Sequence, residues 1–141
     1  MNTIDTRDLI EERDTLKQNI LDAWNEEFEN NQLDDFSELP TETEDSNVAM
    51  FLERWDYDFT EIQEIDDLEN EIDNGEWEYG THLIDEDDFE DYCEEFVTDC
   101  GYISKDTPSL IINNIDWNGI AEDMKQDYSE VVFRGTTYLY R

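Results

Sequence analysis

The stretch from Asp85 to Asp99, DEDDFEDYCEEFVTD, sets the main constraint on how this chain can fold. Nine of its fifteen side chains are carboxylates, and none is basic. Its apolar side chains recur at the spacing of one helix face, at Phe89, Tyr92, Cys93, Phe96 and Val97. The pattern predicts a helix that is anchored to a core by Phe89, Tyr92 and Phe96. The other side of this helix would then carry a dense array of negative charge.

The negative charge of the whole chain is concentrated in its middle. The 141 residues include 42 acids and 8 bases, which gives a formal net charge of −34. Residues 18–104 contain 31 of the acids and a single base, Arg54, so this segment alone carries −30. Such a density repels itself and destabilises the compact state. We therefore expect the charge to have a use, and the expected partner is a basic protein surface, because nucleic acid phosphates would be repelled.

The composition indicates a folded protein in a reducing compartment. Leu, Ile, Val and Phe together number 33, just above the level typical of disordered chains, and four Trp and seven Tyr add to a core. Neither a membrane span nor a secretory signal is expected, since no long apolar run occurs. Cys93 and Cys100 would lie about 10 Å apart along one helix, too far for a disulfide. We expect free thiols and a cytoplasmic location, which is the host cytoplasm if a phage encodes the chain.

Periodicity predicts an α+β fold in which helix dominates. Polar residues separate the first two predicted helices, and this linker contains Pro40 and three apolar residues that could order it, Leu33, Phe36 and Leu39. The last two strands form a hairpin around Arg134-Gly135 and, with the first strand, a small three-stranded antiparallel sheet. The predicted helices are 6–29, a short one around 48–55, 60–73, 85–100 and about eleven residues from Asp116, and the predicted strands are 76–84, 129–133 and 136–140.

The residues that could form a catalytic or metal site do not match a known pattern. The only histidine, His82, falls in a predicted strand and is expected to be structural or exposed. No nucleophile motif or phosphate-binding loop is present. An EF-hand loop with Gly75 at its sixth position would place Ile72 and Thr81 at ligand positions, which excludes it. One His and two poorly spaced Cys do not make a zinc site. No catalytic residue, metal or cofactor is predicted, and we expect the protein not to be an enzyme.

The remaining feature is the charge array itself, which is denser than an ordinary surface of mixed charges. A charge of −30 to −34 corresponds to about 15–17 base pairs of duplex DNA. Carboxylates held on rigid helices could therefore imitate phosphates and bind a basic groove with little loss of entropy. The acids predicted to bind the partner are Asp22, Glu26, Glu27, Glu29, Glu61, Glu64, Asp66, Asp67, Glu69, Glu71, Asp73, Asp85, Glu86, Asp87, Asp88, Glu90, Asp91, Glu94, Glu95 and Asp99.

A series of motifs in the C-terminal half resembles the ArdA antirestriction family and related phage proteins. The order of the predicted elements agrees with the C-terminal part of that family: a strand, an acidic helix, a helix headed by Ile-Asp-Trp, an Asp-Tyr pair and a terminal hairpin. The resemblance covers about residues 76–141. The matching residues are Trp77-Glu78-Tyr79-Gly80, Leu83-Ile84, Phe89-Glu90-Asp91-Tyr92, Ile115-Asp116-Trp117-Asn118, Ala121, Asp127-Tyr128, Val132-Phe133, Tyr138 and Tyr140-Arg141.

This resemblance implies a DNA mimic, made by a phage or mobile element, that blocks the DNA-binding groove of a type I restriction–modification enzyme without catalysis. It also implies a homodimer and two domains, an acidic helical region at 1–75 and an ArdA-like domain at 76–141. A CRISPR system or another nucleic-acid-binding protein is an alternative target of the inhibition. The charge alone is equally consistent with a chaperone that sequesters histone-like proteins, and a halophile's acidified protein is a further alternative.

Overall fold

The computed structural model describes residues 2–39 and 46–141. It contains helices joined to a small antiparallel sheet, as the predicted α+β class requires, but the sheet has four strands and not three. The six helices are α1 (Thr6–Glu27), α2 (Ser46–Trp55), α3 (Thr60–Glu71), α4 (Phe89–Asp99), α5 (Ser109–Ile112) and α6 (Trp117–Lys125). The four strands are β1 (Thr3–Asp5), β2 (His82–Asp85), β3 (Ser129–Phe133) and β4 (Thr136–Tyr140).

The chain divides into two compact units. The helical unit is Asp8–Asn70, and the sheet unit combines Met1–Arg7 with Glu71–Arg141. The sequence predicts a domain boundary after residue 75. This position is five residues from the observed division between Asn70 and Glu71. The sequence did not place the first seven residues with the C-terminal part. They belong there because β1 pairs with β2 in antiparallel register, with Ile4 opposite Leu83.

The helical unit is built around an aromatic cluster. Trp24 and Phe28 of α1 have ring centroids 4.2 Å apart, and Phe51 of α2 meets Trp24 edge-on at 5.2 Å. Edge-to-face contacts of this kind stabilise a core beyond the area that they bury. The linker is ordered partly as predicted, because Leu33, Phe36 and Leu39 pack against this cluster. The predicted linker residues 40–45, including Pro40, lie outside the described residues.

The sheet unit has the strand order β1-β2-β4-β3, with every neighbouring pair antiparallel. Ile84 and Leu139 are opposite each other on β2 and β4. They pack with Phe89 and Cys93 of α4 and with Ala121 of α6. This cluster fixes α4 by one side, as its apolar stripe predicted.

The C-terminal hairpin has the predicted boundaries. Its turn residues, Arg134 and Gly135, both have positive φ, 49° and 79°. Two successive positive φ values are what a two-residue turn needs to match the twist of its strands. Asp116 caps α6 as expected, since its carboxylate accepts a hydrogen bond of 3.0 Å from the Gly119 amide.

The strand predicted for residues 76–84 is wrong over most of its length, since β2 begins only at His82. The residues before it form a turn in which the amide of Tyr79 donates to the carbonyl of Glu76 at 3.1 Å. The buried hydroxyl of Thr6 donates to the carbonyl of Trp77 at 2.9 Å and accepts from the amide of Thr81 at 2.8 Å. These bonds hold the aromatic segment as a turn, although its composition is typical of a strand.

The acidic stretch Asp85–Asp99 also differs in detail from the predicted helix. A single 3-10 turn, Glu86–Asp88, precedes α4, which begins at Phe89. Phe89 is 1% exposed and anchors the helix, and Tyr92 packs at the edge of the core, but Phe96 is 40% exposed and is not an anchor. Cys93 takes its place and is fully buried, and burial raises the pKa of its thiol. Both cysteines are free thiols, as predicted.

The apolar segments of the described residues are all short. None of the helices there has the length and hydropathy that crossing a membrane requires.

We expect a matched pair of substitutions on α4 to distinguish a residue that anchors the helix to the core from a residue on its surface. Phe89→Ala should lower the free energy of unfolding by about 3–5 kcal/mol, because it leaves a cavity in the core. Phe96→Ala removes the same atoms from an exposed position and should cost less than about 1 kcal/mol. Urea denaturation followed by far-UV circular dichroism measures both. Equal losses would contradict the packing described above.

The candidate acidic surface

None of the twenty predicted partner-binding acids is buried. Fourteen are exposed. The other six are half-buried, namely Glu27, Glu64, Asp66, Glu69, Asp85 and Asp88. Local structure explains this distribution, since the apolar stripes of α1, α3 and α4 face the cores and leave the acids outside. Most of the acids lie on helices, but Glu29 follows the end of α1 and Asp73 follows the end of α3.

The acids of α3 are partly tied to the protein itself. Arg13 of α1 uses one nitrogen, Nη1, to bind Asp66 at 2.8 Å and Glu69 at 2.6 Å. The Arg13 side chain is only 12% exposed. Burial acts to lower the pKa of its guanidinium, but the hydrogen bonds that it donates to Glu69 and Asp66 outweigh this effect and raise the pKa. Two of the six acids of α3 therefore serve to join it to α1.

A second ion pair neutralises one acid at the end of α1. Arg54 of α2 pairs with Glu27, which also accepts a hydrogen bond of 3.3 Å from the indole nitrogen of Trp55. This pair is half exposed, so its contribution to stability is small. It nevertheless reduces the charge that α1 offers to a partner.

Three of the four acids at Asp85–Asp88 have side-chain bonds within the protein. Asp85 accepts from the amide of Asp87 at 3.0 Å and from the side chain of Asn2 at 3.1 Å. Asp88 accepts from the backbone amide of Asn2 at 2.7 Å. Glu86 pairs with Lys125 of α6 at 3.6 Å. These bonds thus attach Asn2 and α6 to residues 85–88.

The acids of α4 itself form a row with a different character. Asp91, Glu94, Glu95 and Asp99, which we call the α4 ridge, line one open groove together with Thr98, and Asp91 and Asp99 each lie four residues from Glu95. Residues at this spacing are neighbours on a helix surface. All four acids are exposed, and among the described residues none of them is in a salt bridge. The α4 ridge is therefore turned entirely towards solvent.

Few bases offset the charge in either unit. Residues 8–70 contain 22 acids and three bases, and the rest of the chain contains 20 acids and five bases. The formal charges of the helical and sheet units are thus −19 and −15. Arg7 is bound to its neighbour Asp5, whose pKa is lowered to about 2, mainly by the side-chain hydrogen bond from Arg7. Lys17 lies over the ring of Phe36, with its nitrogen 5.6 Å from the centroid.

The described residues contain no arrangement of three or more His, Cys, Asp or Glu side chains that could hold a metal ion. His82 is exposed on β2, opposite Asp5 of β1, which agrees with the structural or surface position expected for it. The acids of the described residues lie on helices, in turns and on strands, and no three of them form such a group.

Sequence reasoning did not identify Arg13 and Lys125 as partners of the predicted acids. A signal was available for Arg13, since it is one of only three bases in residues 8–70 and lies within an apolar-faced helix. Which acids it would bind could not be read from the sequence, because they are more than fifty residues away.

Comparison with known proteins adds no relative from which a function could be carried over. No family model, no curated protein and no solved structure matches this chain.

We expect the Arg13 bridge to stabilise the helical unit. Arg13→Met should lower the free energy of unfolding by about 1–2 kcal/mol, because it leaves Asp66 and Glu69 near each other without a counter-charge. Arg54→Met is the control, and its loss should stay below about 1 kcal/mol because that pair is more exposed. Thermal unfolding at low salt measures both, and an unchanged melting temperature for Arg13→Met would contradict the assignment.

Proposed function

We propose that this protein is a noncatalytic DNA mimic that occupies the DNA-binding groove of a host defence protein. The first candidate target is a type I restriction–modification enzyme, which is what the resemblance of residues 76–141 to the ArdA family implies. The observation that carries the proposal is the linear density of carboxylates on α3 and α4, held outward by buried stripes on the same helices.

The density on these helices is close to that of one DNA strand. The eleven residues of α4 span about 16 Å and carry five acids, which is about one charge per 3.3 Å. The twelve residues of α3 span about 18 Å with six acids, or about one per 3 Å. A single strand of B-DNA carries one phosphate per about 3.4 Å. A basic groove that binds a strand would therefore meet a similar number of charges along α4, and fewer along α3, where Arg13 already binds Asp66 and Glu69.

Rigidity favours the same interpretation. Phe89 and Cys93 fix α4 to the sheet, and Ile62, Ile65 and Leu68 are the buried stripe of α3. Carboxylates on anchored helices lose little backbone entropy when they bind, whereas acids on a disordered tail would lose much more. Binding would also release counterions from the groove and from the acids, so the affinity should fall steeply as salt rises.

The described residues give less support to catalysis. An acid–base pair needs two groups whose environments separate their pKa values. The acids of the α4 ridge share one exposed environment, and no metal cluster accompanies them in the part of the chain that the structure describes. A function that depends on the whole surface fits this arrangement better.

Competition for a DNA-binding groove tests the proposal directly. The purified chain should displace labelled duplex DNA from a type I restriction–modification enzyme, and inhibition should weaken as NaCl is raised from about 50 to 200 mM. A histone-like protein with no such groove serves as the comparison. Binding to that protein alone, with no displacement of DNA from the enzyme at low salt, would favour the chaperone function and contradict the mimic.

We predict that neutralising the α4 ridge weakens inhibition more than removing the same charge elsewhere. The test variant changes Asp91 and Asp99 to Asn and Glu94 and Glu95 to Gln. The control variant changes the net charge equally, at four exposed acids outside the predicted surface, namely Glu122→Gln, Asp123→Asn, Asp127→Asn and Glu130→Gln. The test variant should lose at least about tenfold in inhibition and show a shallower salt dependence. Equal effects would mean that net charge alone determines binding.

A single neutral substitution should have little effect. Asp87→Asn removes one of many exposed charges, so we expect less than about a threefold change in inhibition. The dose–response curve of the same competition assay measures it. Loss of all activity from this one change would instead indicate an active site at the start of α4.

A further inference from the structure

One exposed segment of the sheet unit has almost no charge. Residues 102–115, YISKDTPSLIINNI, contain one acid and one base, in a chain whose net charge is −34. Three of its apolar side chains are largely exposed, with Tyr102 and Leu110 at 77% and Ile111 at 54%. Single exposed apolar residues are common on protein surfaces. A segment of zero net charge with three of them, directly after the acidic helix α4, calls for another explanation.

The exposure is a property of ordered backbone. Pro108 immediately precedes α5, and its carbonyl accepts from the amide of Ile111 at 3.0 Å. The amide of Asn113 donates to the carbonyl of Ser109 at 2.8 Å, and the side chain of Asn114 donates to the carbonyl of Leu110 at 2.6 Å. The backbone polar groups of this turn are thus satisfied locally, while its larger apolar side chains remain in water.

The start of the segment is held in fixed geometry to the end of the α4 ridge. Gly101 has a φ of +79° and ends α4, and its amide donates to the carbonyl of Thr98 at 3.1 Å. The amide of Tyr102 donates to the carbonyl of Val97 at 3.2 Å. These two bonds form a Schellman end, which sets the direction of the chain after the helix. Tyr102 therefore lies only three residues beyond Asp99, on a defined backbone.

Charge decides which kind of partner can cover this segment. Nucleic acid and anionic membrane surfaces would be repelled by the neighbouring ridge. A second copy of the chain would bring another charge of −34 with it. A protein with a basic surface is attracted by the same ridge, and it can approach the uncharged segment without repulsion.

We propose that Tyr102, Leu110 and Ile111 bind an apolar patch beside the basic groove of the protein that binds the α4 ridge. This inference rests on the proposed function and adds a second contact to it. Phosphate imitation supplies only charge contacts, which DNA makes as well. An apolar contact that DNA lacks would add affinity that salt does not screen, because hydrophobic burial does not depend on Coulomb attraction.

The test uses two matched double variants of the full chain and the type I restriction–modification enzyme as the probe. The test variant is Leu110→Ser with Ile111→Ser. The control is Met50→Ser with Tyr79→Ser, which removes two exposed apolar side chains elsewhere. Circular dichroism and thermal unfolding establish that both are folded. Dissociation constants are then measured at several NaCl concentrations, alongside the α4 ridge variant.

The test variant should bind at least about tenfold more weakly at every salt concentration, with the slope of log affinity against log salt unchanged. The control should bind as the natural chain does. If the test variant also binds like the natural chain while the ridge variant is weakened, the inference fails and the proposed function stands.

Two other outcomes would overturn the inference differently. If the natural chain does not bind the enzyme at low salt, the proposed function fails for that target and the inference fails with it. If sedimentation shows that the natural chain is a dimer, and the test variant is monomeric but inhibits normally, the segment is a self-association surface.

Discussion

Repulsion among carboxylates is the constraint on which the rest of this structure depends. With formal charges of −19 and −15 on the two units, any acid placed inside would be stabilised by very few available bases. The structure meets this constraint by separating the two kinds of residue along each helix. Apolar stripes such as Ile62, Ile65 and Leu68 are buried, while the acids between them remain in contact with water. Helix suits this arrangement, because its period places the two sets on opposite sides at every turn.

Three of the eight bases join helices to other parts of the same unit. Arg13 bridges α1 to α3, and Arg54 bridges α2 to α1, while Lys125 joins α6 to the turn before α4. The acids that take part in these bridges have a structural role and are less available to a partner. The α4 ridge has no such bridge among the described residues, although it has the same composition. Whether an acid has a structural role or is exposed and unbridged therefore depends on the bases near it, and not on its residue type.

Local patterns predicted much of the fold, and contacts between distant residues account for what they missed. Periodicity identified α1, α3 and α4, and the Arg134-Gly135 pair identified the hairpin, because these signals are contained within a few residues. The three residues of β1 are too few to show a period, and they form a strand only because β2 is available to pair with them. The aromatic segment before β2 is a turn because Thr6 binds it from 71 residues away. Likewise, Phe96 continues the apolar stripe of α4 but extends past the core that covers Phe89.

The candidate surface shows the same division between local and distant information. Exposure of the acids followed from helix periodicity, whereas their ion pairs depended on tertiary contacts. A surface of this kind differs from a conventional active site, since removing one carboxylate leaves the others in place and the local field nearly unchanged. Its specificity cannot come from charge alone, because any sufficiently basic protein is attracted by it. Discrimination between basic partners requires a fixed spacing of charges and a contact of another chemical kind. In the proposed function, the anchored α4 ridge would supply the first, and residues 102–115, whose net charge is zero, would supply the second.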